Sequence, residues 1–327
     1  MNINIITSRN EDWYSRQLSL QDRDNHHIKV NSHEDICWDM VVVAENLPEE
    51  YIIRCRKGGL VLITGEPPLS SFYSKNFLSQ FDIVLTSHRN LNHPNVVINQ
   101  QSLPWLIGLD MDTKEYNFNY LDFIQMKPEK TKNLSVLCSF KNLLPGHKMR
   151  NKFVLDILKR YESEIDCYGR GYKYILDKAD AILPYRFHIC VENSTIDNYW
   201  SEKFTDSVLG LSVPIYCGCT NIEKYFPDNS FYIKLDINNK RDAFDKIDQI
   251  VNQGESIYQD KLQSLIEMRS YLLNHYNIIP TLMTLKEKMA ISNEVDMFCL
   301  RPKIMLDDYK REMIRMKFKR TLLKFFK

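Results

Sequence analysis

The stretch FHICVENSTIDNYWSEKF, residues 187–204, crowds Glu192, Asn193, Tyr199, Glu202 and Lys203 between an apolar run and the start of a helical pattern. A serine at 201 can cap that helix, and its first backbone N–H groups, lacking intrahelical partners, attract an anion. Lys203 adds a full positive charge. Glu202 can accept hydrogen bonds from a pair of sugar hydroxyls, so a phosphate and a ribose could share one helix start. The same residues also read as a capped helix with a surface Glu–Lys pair, and periodicity alone leaves both open. A second carboxylate, Glu66 in LVLITGEPPL, follows another apolar run and a glycine turn. It suits either a proton acceptor projecting into a cleft or a turn carboxylate.

The elements that must position these groups recur along the chain. NINIIT, WDMVVVAEN, LVLITGE, FDIVLTS and NVVIN are short, rich in Val and Ile, and bounded by turn residues. Such runs are strands covered on both faces of a parallel sheet. Residues 110–133 lose this rhythm and form the expected linker. LSVLCSF, a helix over MRNKFVLDILKRY, EIDCYGRG, FHICVEN, a helix over SEKFTDSVLGL, VPIYCG and FYIKLD then repeat the alternation. Residues 240–290 read as helices over this second unit. The expected division is therefore 1–133 for an N-terminal Rossmann-like domain with its linker, 134–290 for a second Rossmann-like domain, and 291–327 for a helical tail. Ligands of such sheets bind at the carboxyl ends of the strands.

A chain of 327 residues exceeds what one core usually supports, and 44% hydrophobic with 26% charged residues is the composition of a globular protein. No stretch has the length of a membrane-spanning helix, and MNINIITSRN lacks the features of a signal peptide, which makes the cytoplasm the expected compartment. The net charge of +1 hides an asymmetry: from Tyr309 onward eight basic residues face one acid, Glu312. Elsewhere the chain is acidic, which argues against a general nucleic-acid surface. In REMIRMKFKRTLLKFFK, Ile314, Phe318, Leu322 and Phe325 share one helical face with cations largely opposite. Such a helix can lie on an anionic membrane or dock on the second domain.

Three metal-like patterns are weaker. Cys217-Gly-Cys219 lacks a partner pair, Asp110-Met-Asp112 sits in the linker, and His26, His27 and His33 lack a carboxylate pattern around them. No GxGxxG follows any expected strand, which argues against a nicotinamide oxidoreductase. The eight cysteines are scattered, several inside apolar runs, as buried reduced thiols are.

Taken together, FHICVENS, YWSEK, PIYCG and DNSF resemble the signature of the family-ten glycosyltransferases, the α-1,3/4-fucosyltransferases. That family's pattern is approximately F-x-x-x-F/V-E-N-S, Y-V/W-T/S-E-K, P-I/V-Y/V-x-G and D-S-F. The likeness is fullest over residues 134–240. It implies a GT-B architecture, two Rossmann-like domains facing a central cleft, with the donor nucleotide on the second and the acceptor on the first. By the same resemblance, Lys203 and Arg150 contact the donor diphosphate, Glu202 the ribose, and Asn193 and Tyr199 fall at donor-binding positions. Glu66 matches the general base of an inverting transfer. The implied reaction moves L-fucose from GDP-fucose to a glycan hydroxyl, in lipopolysaccharide or another surface saccharide, without a required metal or other cofactor. The implied tail partner, for residues 309–327, is an anionic membrane. Another nucleotide sugar on the same scaffold, or a noncatalytic nucleotide- or glycan-binding protein, are the competing readings.

Overall fold

A computed structural model describes residues 1–102, 104–139 and 145–325, side chains being described up to Leu322. The chain divides into two compact units, residues 1–103 with 276–327, and residues 104–275.

The first unit is built on a six-stranded parallel sheet. Its first 103 residues supply β1 (Asn2–Thr7), β2 (His27–Val30), β3 (Cys37–Trp38), β4 (Met40–Ala44), β5 (Tyr51–Arg56), β6 (Leu60–Ile63), β7 (Ile83–Thr86) and β8 (Val96–Ile98). The sheet order is β2-β1-β4-β6-β7-β8. Side chains alternate across its faces: Val41, Val43 and Leu62 enter one core, while Met40, Val42, Ala44, Val61 and Ile63 enter the other. Both faces are covered, so the strands read as unbroken apolar runs rather than as alternating ones.

The second unit has a five-stranded parallel sheet, with β9 (Lys132–Leu137), β10 (Ile165–Tyr168), β11 (Tyr185–Val191), β12 (Val213–Cys217) and β13 (Ile233–Lys234) in the order β10-β9-β11-β12-β13. Helices Pro145–Arg160, Glu202–Leu209 and Lys240–His275 accompany it. The α/β class expected from sequence is thus observed in each unit.

The boundaries differ from the expected 1–133, 134–290 and 291–327. Residues 110–133 are not a free linker, because they pack within the second unit. Phe123 is fully buried, edge-on to Trp105 and Phe118, and Arg269 Nη1 donates to the Met126 carbonyl at 2.8 Å. The helical series expected over the second unit splits at Tyr276. Helix Ile278–Lys286 returns to the first unit, where Ile278, Ile279, Leu282 and Leu285 fill the core against Ile3, Ile5 and Val42. Residues 291–327 are not wholly helical either. Their strand β14 (Val295–Leu300) pairs antiparallel with β5 and, with β3, makes a three-stranded sheet over the other core. Four buried side chains on the returning helix, and Leu300 with half-buried Phe298 on β14, outweigh chain proximity, since burying each fully contributes roughly 1.5–3 kcal/mol.

The terminal helix Tyr309–Phe325 docks on the first unit rather than on the second. Arg320 donates to the carbonyls of Leu69 and Ser70 at 2.7 and 2.6 Å, while Ile314, Phe318 and Leu322 remain exposed.

Candidate functional site

In the second unit the chain leaves β11 at Val191 and runs through a polar loop to the helix Glu202–Leu209. The loop is pinned at both ends. Glu192 is buried: its Oε1 accepts from the Ser201 amide and its Oε2 from Ser201 Oγ, both at 2.7 Å. Asn198 holds a left-handed backbone (φ 60°) and exchanges reciprocal hydrogen bonds with Asn221 at 2.8 and 2.9 Å. Asparagine tolerates that conformation better than most residues. Trp200, buried edge-on to Tyr225, anchors the loop to the core. The glycine of PIYCG has a steric role, since a Cβ on Gly218 would lie 2.2 Å from Tyr216 Oη and 2.4 Å from Glu192 Cγ.

Ser201 caps the helix by accepting from the Lys203 amide at 3.3 Å. Lys203 Nζ then returns to the loop, 3.1 Å from Ser201 Oγ, 3.3 Å from Glu202 Oε1 and 3.6 Å from Glu192 Oε2. Burial opposes its charge, but Glu202 and Glu192 outweigh burial and raise its pKa, so Lys203 stays an ammonium. Burial likewise opposes ionisation of Glu202, yet Lys178 and Lys203 hold that carboxyl well below the usual range. Lys178 bridges Glu202 at 3.3 Å and buried Asp206 at 3.2 Å, while Asp206 Oδ1 accepts the Leu106 amide at 2.9 Å. Charged groups therefore line one rim in alternating sign.

Arg150 reaches the same rim from helix Pro145–Arg160. It lies in the second turn rather than at the opening expected from MRNKF, because the helix already runs from Pro145. Arg150 is 6% exposed, and its Nη1 donates to Asn193 Oδ1 at 2.6 Å. Nη2 reaches the Ser139 carbonyl at 3.5 Å, and Nε is buried without a hydrogen-bond partner among the described residues. These acceptors are neutral, whereas a buried guanidinium normally demands an anion. Arg150 and Lys203 contact consecutive residues, Asn193 and Glu192, and the charge on Arg150 acts to lower the Lys203 pKa. Two cations thus converge on the end of β11 where a diphosphate could join them.

Of the residues expected to bind a donor, Arg150, Asn193, Glu202 and Lys203 come together here, and Tyr199 is buried in the same loop. Lys178 and Asp206 were not legible as members of the cluster. The i, i+4 spacing of Glu202 and Asp206, which places both on one helix face, was the available signal for the carboxylates. Lys178 had none.

Glu66 belongs to the first unit, just beyond β6. Its carbonyl accepts from His88 Nε2 at 2.9 Å, and the neighbouring Gly65 amide donates to Tyr73 Oη at 3.2 Å. Its carboxylate is half-buried and is felt electrostatically by Arg9. Asp110 is a half-buried residue leading into a turn, and its Oδ1 accepts the amides of Asp112 and Thr113. His27 and His33 do have carboxylate neighbours, Glu34 at 3.3 Å and Glu49 at 3.1 Å, in exposed pairs that the sequence pattern had not suggested. Cys217 and Cys219 are free and buried. Among the described residues no three His, Cys, Asp or Glu side chains are grouped to hold a metal ion.

Residues 127–263 match the family described as glycosyltransferase family 10 (fucosyltransferase), C-terminal. A fucosyltransferase-like protein of Arabidopsis thaliana is 24% identical over 71% of this chain and 45% of its own length. The 4-galactosyl-N-acetylglucosaminide 3-alpha-L-fucosyltransferase 9 of Bos taurus is 27% identical over 65% of this chain and 53% of its own. An alpha-(1,3)-fucosyltransferase of Helicobacter pylori is 30% identical over 28% of this chain and 19% of its own. The chain thus spans about half, or less, of these curated relatives. A crystal structure of an alpha1,3-fucosyltransferase superimposes with a TM-score of 0.48 and 17% identity over 80% of each chain.

Proposed function

We propose that the chain, whose residues 127–263 match glycosyltransferase family 10, is an inverting fucosyltransferase that moves L-fucose from GDP-fucose to a hydroxyl of a glycan acceptor. The second unit takes the donor. Arg150 and Lys203 bind the diphosphate, Glu202 accepts from the ribose hydroxyls, and Asn193 and Tyr199 shape the loop around them. In the first unit, Glu66 accepts the acceptor hydroxyl proton as that oxygen attacks the anomeric carbon. The bond from that carbon to the diphosphate oxygen breaks, and its electron pair leaves with GDP. Fixed cations meet the charge that develops there, at no reorganisation cost in the transition state. This mechanism calls on no divalent metal or other cofactor.

The observation that carries the reading is Arg150, a buried guanidinium with neutral partners beside a second cation. An anion that bridged both would supply what its burial lacks. GDP titrated into the protein should bind with 1:1 stoichiometry, and Arg150→Ala and Lys203→Ala should each weaken it roughly tenfold or more, a loss of about 1.5–3 kcal/mol per charge-assisted contact. Unchanged affinity in both variants would reject the site. GDP- and UDP-sugars compared by thermal shift separate a fucosyl donor from another nucleotide sugar, because a ligand of the native state raises the melting temperature. Donor hydrolysis separates an enzyme from a noncatalytic binder.

The proposed acceptor is a lipopolysaccharide or other surface saccharide, reached at the cytoplasmic face of a membrane. No helix among the described residues is long and apolar enough to cross a membrane. The exposed side chains Ile314, Phe318 and Leu322, among the basic residues of the terminal helix, suit peripheral adsorption to anionic lipid.

A further inference from the structure

The first unit holds a second charged constellation, outside every motif of the sequence. In its six-stranded sheet the order reverses between β1 and β4, with β2 on one side and β6 on the other. Loops leaving the carboxyl ends at such a reversal part to opposite faces and open a crevice for ligands. Arg9 lies just past β1 and Glu45 directly follows β4. Arg9 Nη2 donates to Glu45 Oε2 at 3.1 Å, with the carboxylate side chain 20% exposed.

Glu45 occupies the left-handed backbone region (φ 68°), although it is neither glycine nor asparagine. Its amide donates to the Ile63 carbonyl at 2.8 Å, so pairing with β6 holds the conformation. Strain of this kind persists where the surroundings over-determine it, and a merely structural turn would be served at lower cost by Gly or Asn. The carboxylate lies across Gly65, where an added Cβ would stand 2.1 Å from Glu45 Oε1. Glu66 is the next residue. Lys303 lies 3.7 Å from the ring of Tyr73, whose hydroxyl accepts from the Gly65 amide, and 3.4 Å from Ser71 Oγ. Burial pulls the Lys303 pKa down to about 8, against the charge of Glu45. Glu45 is therefore paired with Arg9 and felt electrostatically by Lys303, at a strand end next to Glu66.

We infer that Glu45, oriented by Arg9, is an acceptor-binding residue that accepts hydrogen bonds from the sugar hydroxyls flanking the one that Glu66 deprotonates. The ligand class is a neutral saccharide, whose adjacent hydroxyl donors match the two oxygens of a carboxylate. Arg9 offsets the charge of this second acid without occupying both of its oxygens. The inference rests on the glycosyl-transfer reading and assigns acceptor selection to Glu45.

Transfer from GDP-fucose should be measured against a panel of β-galactosides and N-acetylglucosaminides, N-acetyllactosamine included, with GDP titration and thermal melting certifying each variant's fold. Glu45→Gln should raise the acceptor KM tenfold or more with a much smaller change in kcat, and Arg9→Ala should raise it in the same direction. Glu45→Asn, which suits the left-handed backbone, should melt no lower than wild type and show the same KM defect. An unchanged acceptor KM in Glu45→Gln, or a loss confined to kcat, overturns the inference while leaving fucosyl transfer standing. Wild-type protein that hydrolyses GDP-fucose yet uses no saccharide of the panel overturns the ligand class. Wild-type protein that neither binds GDP nor hydrolyses GDP-fucose instead overturns the glycosyl-transfer reading itself.

Discussion

Arg150 Nη1 donates to Asn193 Oδ1 at 2.6 Å, joining the helix Pro145–Arg160 to the loop that follows β11. A neutral amide orients the guanidinium without cancelling its charge. Asn193→Asp would keep the shape and supply a carboxylate, which would compete with any diphosphate. GDP affinity measured by calorimetry should fall roughly tenfold or more, as expected when one charge-assisted contact is lost. Unaltered affinity would show that Arg150 does not meet the ligand.

The same junction depends on close approach of two backbones. A Cβ on Gly146 would stand 1.9 Å from the Asn193 carbonyl oxygen, and the obstacle is main chain rather than a yielding side-chain end. Gly146→Ala should therefore destabilise the protein by about 1–3 kcal/mol in urea unfolding and weaken GDP binding as Asn193 is displaced. A variant as stable as wild type would mean that the helix start shifts freely.

Glu66→Gln keeps the size of the side chain and removes its basicity. Fucosyl transfer should drop at least 100-fold, the lower range for general-base catalysis, while GDP affinity stays within twofold of wild type. Turnover near the wild-type rate would remove Glu66 from the proton-transfer role.

The Glu202 carboxyl titrates below its ordinary range because, although burial opposes its charge, Lys178 and Lys203 stabilise it. In the unfolded chain it takes up its proton near the usual glutamate value, about pH 4.3. Between that value and the depressed native one the unfolded chain binds more protons, so stability falls as the pH falls. The contribution is fully present above the ordinary pKa and is lost as the pH drops through the native one. Glu202→Gln should be less stable than wild type at pH 7, with the gap closing below about pH 4. Chemical unfolding at several pH values reads the gap directly, and a pH-independent difference would contradict the assignment.

The terminal helix leaves Ile314 63% and Phe318 65% exposed among basic residues. Flotation with phosphatidylglycerol vesicles should carry the full chain upward, whereas phosphatidylcholine vesicles should not. Ile314→Asp with Phe318→Asp should abolish flotation without changing the melting temperature appreciably, because neither side chain is part of the core. Equal flotation of this variant would place the membrane contact elsewhere.

What was legible in the sequence is what short-range pattern encodes. Val41 to Val43, Leu60 to Ile63 and Phe187 to Val191 announced strands because burial on both faces demands apolar residues in succession. The motif around Glu192 to Lys203 was legible because its members lie in one loop and helix start, so their spacing survives in one dimension. The linker was misread because the aromatic contacts of Trp105, Phe118 and Phe123 leave no periodic trace.

By itself the sequence determined the class of both units, the strand runs and the identity of the charged groups near residue 200. Only the tertiary structure decided that Ile278–Lys286 and β14 return to the first unit, that Lys178 joins Glu202 and Asp206, and that Glu45 takes a left-handed backbone beside Gly65. Those outcomes depend on which distant surfaces bury each other and which charges neutralise each other at close range. Propensity and spacing report only the conformations open to neighbouring residues, whereas long-range burial and charge pairing choose among them.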